Sequence, residues 1–262
     1  MLSSKHRVSR VLRVSHQFKN FPEAFSQSFE HYEFNNVTEI ENWARRPLVH
    51  TNYATIDPLF EQKLENEDVF NILKNNEVKR FSFDIGPCYQ KVIEVDGKYV
   101  GKNNKLTPAD VLRISEERLA KIRHKFPPNC ELAVENLNYY PTGAYDGVCD
   151  GHFYAMACNK LNVKMVFDIS HARVSAANLG QNFSDFIEDF DFSTVTEIHL
   201  SRPEFVKDGL AIDAHGAPKE KEYYLLQKIV DRTSGPVDVV IEYYQDVPGI
   251  IDAYTHLAEI YP

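Results

Sequence analysis

The chain has 262 residues, 43% hydrophobic and 26% charged, a balance that excludes disorder, collagen and coiled coil as descriptions of the whole. Lysine and arginine number 29 against 38 acidic residues, a net charge of −9, which disfavours broad phosphate-backbone binding and makes nucleic acid a poor candidate partner. A core of this size needs neither disulfide nor metal to hold it together.

Lys5, Arg7, Arg10 and Arg13 lie near the N-terminus, but no apolar stretch of signal-peptide length follows them. Nor does any segment approach the ~20 apolar residues of a transmembrane helix, so no membrane partner is expected. Cys88, Cys130, Cys149 and Cys158 form no C-x-x-C pair. Four dispersed cysteines in a long chain suggest a reducing compartment, and the expected location is cytoplasmic.

In chain order, short β-branched or aromatic runs predict strands at Val8–Ser15, His31–Phe34, Pro47–His50, Lys79–Asp84, Glu131–Glu135, Lys164–Asp168, Val195–Leu200 and Val237–Glu242. Between them, helical patterns fall at Pro22–Phe29, Leu59–Asn75, Thr107–His124, His152–Leu161, Asn182–Phe190, Lys219–Arg232 and Val247–Ile260. The clearest is Thr107–His124, with Thr107 as N-cap, Pro108 at the first helical position and Asp110 at the positive helix end. Gly86–Lys105, after the fourth strand, is polar, and its VIEVDGKYVGK run reads as a small hairpin around Asp96-Gly97. Eight alternations in about 260 residues favour an α/β fold, a closed (β/α)8 TIM barrel, over a doubly wound sheet.

The strand ends carry the chemistry. His50 ends the third, Asp84 the fourth, Glu135 the fifth and Asp168 the sixth, with His171 three residues on. The seventh carries His199, Asp213 and His215 follow in its loop, and Glu242 ends the eighth. In a barrel these ends meet at one mouth. Carboxylates crowded there repel one another, and bound divalent ions remove that cost. Bridging carboxylates and neutral imidazoles suit such ions, and about nine ligands suit two or three of them. Singly, each residue has a blander role as cap, ion-pair partner or packing group; the conjunction in strand order carries the metal reading. Glu33 and His16 are weaker candidates for the mouth, and Tyr139, Tyr140, Tyr243 and Tyr244 lie close to ligand positions. His6, His31, His124, His152 and His256 read as solvated or packing residues.

The stretches AVENLNYYP, VFDISHARVSAANLG, EIHLSRP, IDAHGAP and VVIEYYQDVPGIID resemble the multinuclear non-heme iron-dependent oxidative enzymes, a family of the xylose-isomerase-like TIM barrels. The resemblance is strongest from about residue 130 to 255 and implies one barrel domain over residues 1–262. It implies Glu135 as a central bridging carboxylate, and His50 and Asp84 as partners of one ion. Asp168, His199 and Glu242 are then ligands of a second ion, and His171, Asp213 and His215 of a third, with Glu135, Asp168 and His199 at the catalytic centre. The implied cofactor is iron, two or three ions, with zinc or manganese as alternatives. The implied reaction is oxygen-dependent oxidation of a cysteine, or of a residue near one, in a ribosomally made precursor peptide, with a separate leader-peptide-binding partner protein. Two departures stand out: the family usually has histidine where this chain has Asp84, and asparagine where it has His171. A histidine at 171 is similar to the zinc-using apurinic-endonuclease-like barrels. A zinc or manganese phosphodiesterase, or a sugar isomerase, is therefore the alternative enzyme, and a metal-free scaffold barrel the non-catalytic one.

Overall fold

The computed structural model describes residues 8–41, 43–102, 104–206 and 209–262; the expectations placed on Lys5, His6 and Arg7 lie outside them. Strands β1 (Val8–Arg13), β2 (His31–Phe34), β3 (Leu48–Ala54), β4 (Arg80–Asp84), β7 (Glu131–Glu135), β8 (Lys164–Asp168), β9 (Val195–Leu200) and β12 (Val237–Ile241) close into one barrel, each parallel to its neighbours. Two antiparallel hairpins stand outside it: β5 (Val92–Val95) with β6 (Lys98–Gly101), and β10 (Arg202–Phe205) with β11 (Ala211–Gly216).

The predicted strands agree with the barrel strands to within two residues at each end, except that β3 runs on past His50 to Ala54 over an irregularity against β4. Asp96 and Gly97 both take positive φ, the backbone that a two-residue hairpin turn of this hand needs. Helix α4 (Pro108–Ile122) starts in a full capping box, Thr107 and Asp110 each bonding the other's backbone. Helices α5 (Gly151–Leu161), α8 (Glu220–Val230) and α9 (Val247–Ile260) lie where the pattern put them.

Four expectations are corrected. Pro22–Phe29 holds only one helical turn, α1 (Glu23–Ser26). Leu59–Asn75 breaks into α2 (Phe60–Asn66) and α3 (Val69–Asn75), because Asp68 sits in the left-handed region at φ 53°. Asn182–Phe190 divides into α7 (Phe183–Phe186) and a 3₁₀ turn. Helix α6 (Ile169–Asn178) was not anticipated; its Ser- and Ala-rich turns are buried nearly all round, so no apolar stripe marks it.

The main core lies between strands and helices, while Val11, Leu48 and Val240 form a separate apolar cluster within the barrel. Beneath that cluster, toward the strand starts, Arg80 donates to Glu131, Glu197 and Asp238, at 2.7, 2.8 and 2.8 Å, and Lys79 pairs with Asp238. Above it, side chains two positions further along the strands (His50, Glu135, His199, Glu242) reach the mouth, as the period of two requires.

Candidate metal centre

Glu135, Asp168, His199 and Glu242 are all buried, and one ligand atom from each lies within 4.8 Å of the others. His199 Nδ1 is 2.8 Å from Glu135 Oε1 and 3.6 Å from Glu242 Oε1. These four come from β7, β8, β9 and the residue after β12, so the barrel itself gathers them. The other five residues flank this group on two sides. His50 Nε2 is 3.4 Å from Glu135 Oε2, and Asp84 feels Glu135, His50 and His171. His171 Nε2 lies 3.2 Å from Asp213 Oδ2, while His215 Nε2 lies 3.4 Å from Asp213 Oδ2 and 3.5 Å from Glu242 Oε2.

Local structure aims each group. Asp168 caps α6, its Oδ1 accepting from the His171 backbone N–H at 2.6 Å, which leaves Oδ2 for the mouth. Asn136 clamps the ends of β7 and β8 through bonds to both backbone groups of Asp168, at 2.8 and 2.9 Å. Asp213 and His215 sit not in a loop, as expected, but on β11. There the ladder slips, so that three residues, Asp213–His215, oppose Pro203 alone. His215 takes φ 43°, a costly backbone for a non-glycine residue that recurs where bulges re-aim side chains at sites.

Two histidines also have one nitrogen fixed from behind. His50 Nδ1 is 2.8 Å from Ser82 Oγ, and His171 Nδ1 donates to Asn136 O at 2.8 Å. Such anchors set which nitrogen faces forward.

The electrostatics are those of a site short of cations. Burial pushes the Asp84 carboxyl up to about 7, and the Glu135 charge adds to it. Burial likewise takes Asp168 to about 7, with Glu242, Asp213 and Glu135 raising it further and His171 opposing. Burial works against the Glu135 charge too, but His50 and His171 outweigh it and hold that carboxyl well below the usual range. His199 and His171 stay well above the ordinary imidazole value, the surrounding carboxylates overcoming burial. Burial also opposes the His215 charge, but Glu242 and Asp213 prevail and hold that imidazole at about 9. Protons thus stand where metal cations would relieve the same repulsion. Asp84 Oδ1 and Asp168 Oδ2 are buried without a hydrogen-bond partner, and His199 Nδ1 faces Glu135 Oε1 at 2.8 Å. Unpaired carboxylate oxygens beside imidazole nitrogens fit divalent ions.

Glu33, Glu197 and His199 also cluster, but the charge balance differs. Arg13 pairs with Glu33, and Arg80 with Glu197, so two carboxylates already face two guanidinium cations. Those guanidinium groups already hold carboxylate oxygens that a divalent ion would need, and they repel it. Glu33 is a buried ion-pair partner of Arg13.

Sequence reasoning missed the roles of Arg13, Asn136 and Ser82. Arg13 reaches Glu242 at 3.4 Å as well as Glu33. Of the weaker candidates, His16 is exposed, while Tyr244 donates to Glu242 at 3.0 Å and Tyr140 accepts from the Asp213 N–H at 3.1 Å. Tyr243 instead donates to Asp246 at the start of α9. A cavity of about 620 Å³ opens between the mouth and the β5–β6 hairpin, lined by Asp84, Glu135, His171, Tyr99, Tyr140 and Lys98 among others. A second, of about 390 Å³, reaches the other side past Arg13, His50, His215 and Tyr244.

The closed parallel barrel of eight strands, with helices between them and an acid–imidazole mouth, defines the class: a (β/α)8 TIM barrel. Solved structures agree on the fold. The 3-keto-D-glucoside 4-epimerase YcjR of E. coli matches at 13% identity and TM-score 0.58, over 97% of this chain and 100% of that one. A xylose isomerase domain protein of Alicyclobacillus acidocaldarius matches at 11% and 0.58, over 97% and 98%. Residues 107–261 match the family model "RiPP precursor modification enzyme MbnB/TglH/ChrH", and the chain belongs to that family, the multinuclear non-heme iron-dependent oxidative enzymes. Curated relatives are UPF0276 proteins. One from Acaryochloris marina is 25% identical over 161 residues, 60% of this chain and 56% of the relative. One from Caulobacter vibrioides is 29% identical over 126 residues, 48% and 45%. The aligned region spans about half the length of these relatives.

Proposed function

We propose that this chain, as one barrel domain, is a cytoplasmic iron enzyme that uses dioxygen to oxidise a cysteine, or a residue near one, in a ribosomally made precursor peptide. The observation that carries the reading is the convergence of Glu135, Asp168, His199 and Glu242 within 4.8 Å, with an unpaired oxygen on Asp168. Glu135 is placed to bridge two positions, since its Oε1 faces His199 and its Oε2 faces His50. We assign His50, Asp84 and Glu135 to one ion, Asp168, His199 and Glu242 to a second, and His171, Asp213 and His215 to a third. Bound iron would supply the one-electron chemistry with dioxygen that oxidation of a thiol needs.

The chain's own residues do the rest. Asn136, Ser82 and the α6 cap fix the ligands in orientation, which lowers the cost of organising the site when substrate arrives. The cavity of about 620 Å³ beneath the β5–β6 hairpin, lined by Tyr89, Tyr99, Tyr140 and Tyr145, would receive the peptide segment. A separate protein that holds the leader completes the reading, in line with the family. The test is anaerobic purification, then iron content and oxygen uptake with a cysteine-containing precursor peptide. Full activity in iron-free protein would end this assignment.

A second reading, zinc- or manganese-dependent hydrolysis of phosphodiesters or isomerisation of sugars, draws on one observation: His171, not asparagine, faces Asp213. Two or three ions suit in-line displacement at phosphorus. Cleavage of abasic duplex DNA under zinc or manganese, without oxygen consumption on peptide, would favour it.

A further inference from the structure

His199 is oriented opposite to its neighbours. His50 turns Nε2 toward Glu135 and holds Nδ1 on Ser82, and His171 turns Nε2 toward Asp213 with Nδ1 on Asn136 O and 3.8 Å from Glu135 Oε2. His199 presents Nδ1 to Glu135 and Glu242, and its Nε2 points down into the barrel. There Glu197 Oε1 lies 2.9 Å away and Glu33 Oε1 3.3 Å away. A single N–H serves one strong acceptor. The nearer oxygen, on Glu197, takes it, and Glu33 Oε1 is left without a hydrogen-bond partner.

Glu197 is itself fixed. Its other oxygen accepts from Arg80 at 2.8 Å, and Arg80 is fully buried and further tied to Glu131 and Asp238. Lys79 closes the far end on Asp238 at 2.8 Å. A continuous charged chain therefore runs from the strand starts to the one imidazole in the tight four-residue group.

We infer that Glu197, held by Arg80, is the positioning residue that commits His199 to bind metal through Nδ1, so that the floor of the barrel governs how tightly the mouth holds its ion. This rests on the metal-centre reading above. A carboxylate behind a ligating imidazole fixes ring and tautomer and raises the basicity of the ligating nitrogen. Removing Glu197 then leaves ring and tautomer unset, with a loss of about 10–100-fold in metal affinity.

The test uses the intact protein with zinc(II) as probe. In zinc-loaded wild type labelled with ¹⁵N-histidine, long-range ¹H–¹⁵N spectra should show His199 protonated at Nε2, with Nδ1 shifted by metal. Chelator competition should then give Glu197→Ala zinc affinity about 10–100-fold weaker, and Glu197→Gln, which keeps an acceptor oxygen, should recover part of it. Ligation of wild-type His199 through Nε2 would overturn the inference without touching the metal reading, and needs no variant to fold. So would a folded Glu197→Ala protein with wild-type affinity. A wild type that takes up no zinc or other divalent ion would remove the metal centre and this inference together, and that failure shows before any variant is made.

Discussion

The barrel holds two buried clusters of the same residue types, and they differ in how their charge is met. At the floor, Glu131, Glu197 and Asp238 face Arg80 and Lys79, and the oxygens that Arg80 reaches are bonded at 2.7–2.8 Å. At the mouth, Asp84, Glu135, Asp168, Asp213 and Glu242 face four imidazoles and one shared guanidinium, Arg13. Atoms on Asp84 and Asp168 stay unpaired there. The contrast teaches that burial of acids does not by itself mark a ligand site. A cluster closed by fixed cations is a structural network, whereas one left open by the chain is built for a cation from outside.

The largest effect should follow from removing the centre of the open cluster. Glu135→Ala is expected to empty two metal positions at once and to abolish turnover, since Glu135 faces both His50 and His199. Elemental analysis that finds only one ion missing would break the bridging role. Next comes the closed cluster. Arg80→Met leaves Glu197 and Asp238 buried without their cation and should cost about 3–5 kcal/mol of unfolding free energy. Asp168→Asn keeps a capping oxygen for α6 while removing a like charge from the mouth, so the metal-free protein should hold its stability. Denaturant curves that show equal losses for the two variants would erase the distinction between floor and mouth.

How much of this the sequence disclosed depends on what each feature leaves in the chain. Strands buried on both faces leave short apolar runs ending in charge, such as Lys164–Asp168, and these were legible, as was the order of the mouth residues. The floor was not. Arg80 and Glu197 look like ordinary strand residues until the barrel closes and brings positions 117 residues apart into contact. The Glu33–Arg13 pair was hidden because alternation gives the face of a strand residue but not its depth along the barrel axis, and Arg13 lies 20 residues away in the chain. Helix α6 left no stripe because it is buried around most of its surface. The β10–β11 hairpin was hidden because its slipped register and the positive φ of His215 are set by what it packs against.

The open cluster should also respond to pH where the closed one does not. Asp84 and Asp168 hold their protons to about 7, and His215 to about 9. Below pH 7 an incoming ion must displace those three protons and also the ones that the surrounding carboxylates keep on His171 and His199; above 7 the two acid protons are gone and the imidazole protons remain. Metal affinity is therefore expected to climb from pH 6 to 9, with protons released on binding. For the metal-free protein the sign reverses for the two acids. Their folded pKa values exceed the ordinary 3.8, so their contribution to stability is greatest below pH 4 and is lost as pH rises through about 7. Calorimetry in buffers of different ionisation enthalpy would count the protons, and an affinity flat across this range would argue that the mouth is not proton-blocked.

The smallest effect separates the ligand groups within the mouth. His215 stands at the rim, its side chain 37% exposed, and touches only Asp213 and Glu242 among the carboxylates. His215→Ala should therefore lose the ion shared with His171 and Asp213 and leave the other two in place, because Glu242 keeps its contacts with His199, Arg13 and Tyr244. Complete metal loss in this variant would mean that the positions load as one unit, coupled through Glu242 or through His171 and Glu135. A double variant with Glu135→Ala separates the two routes: independent positions give additive ion losses, and a single linked cluster gives no further loss.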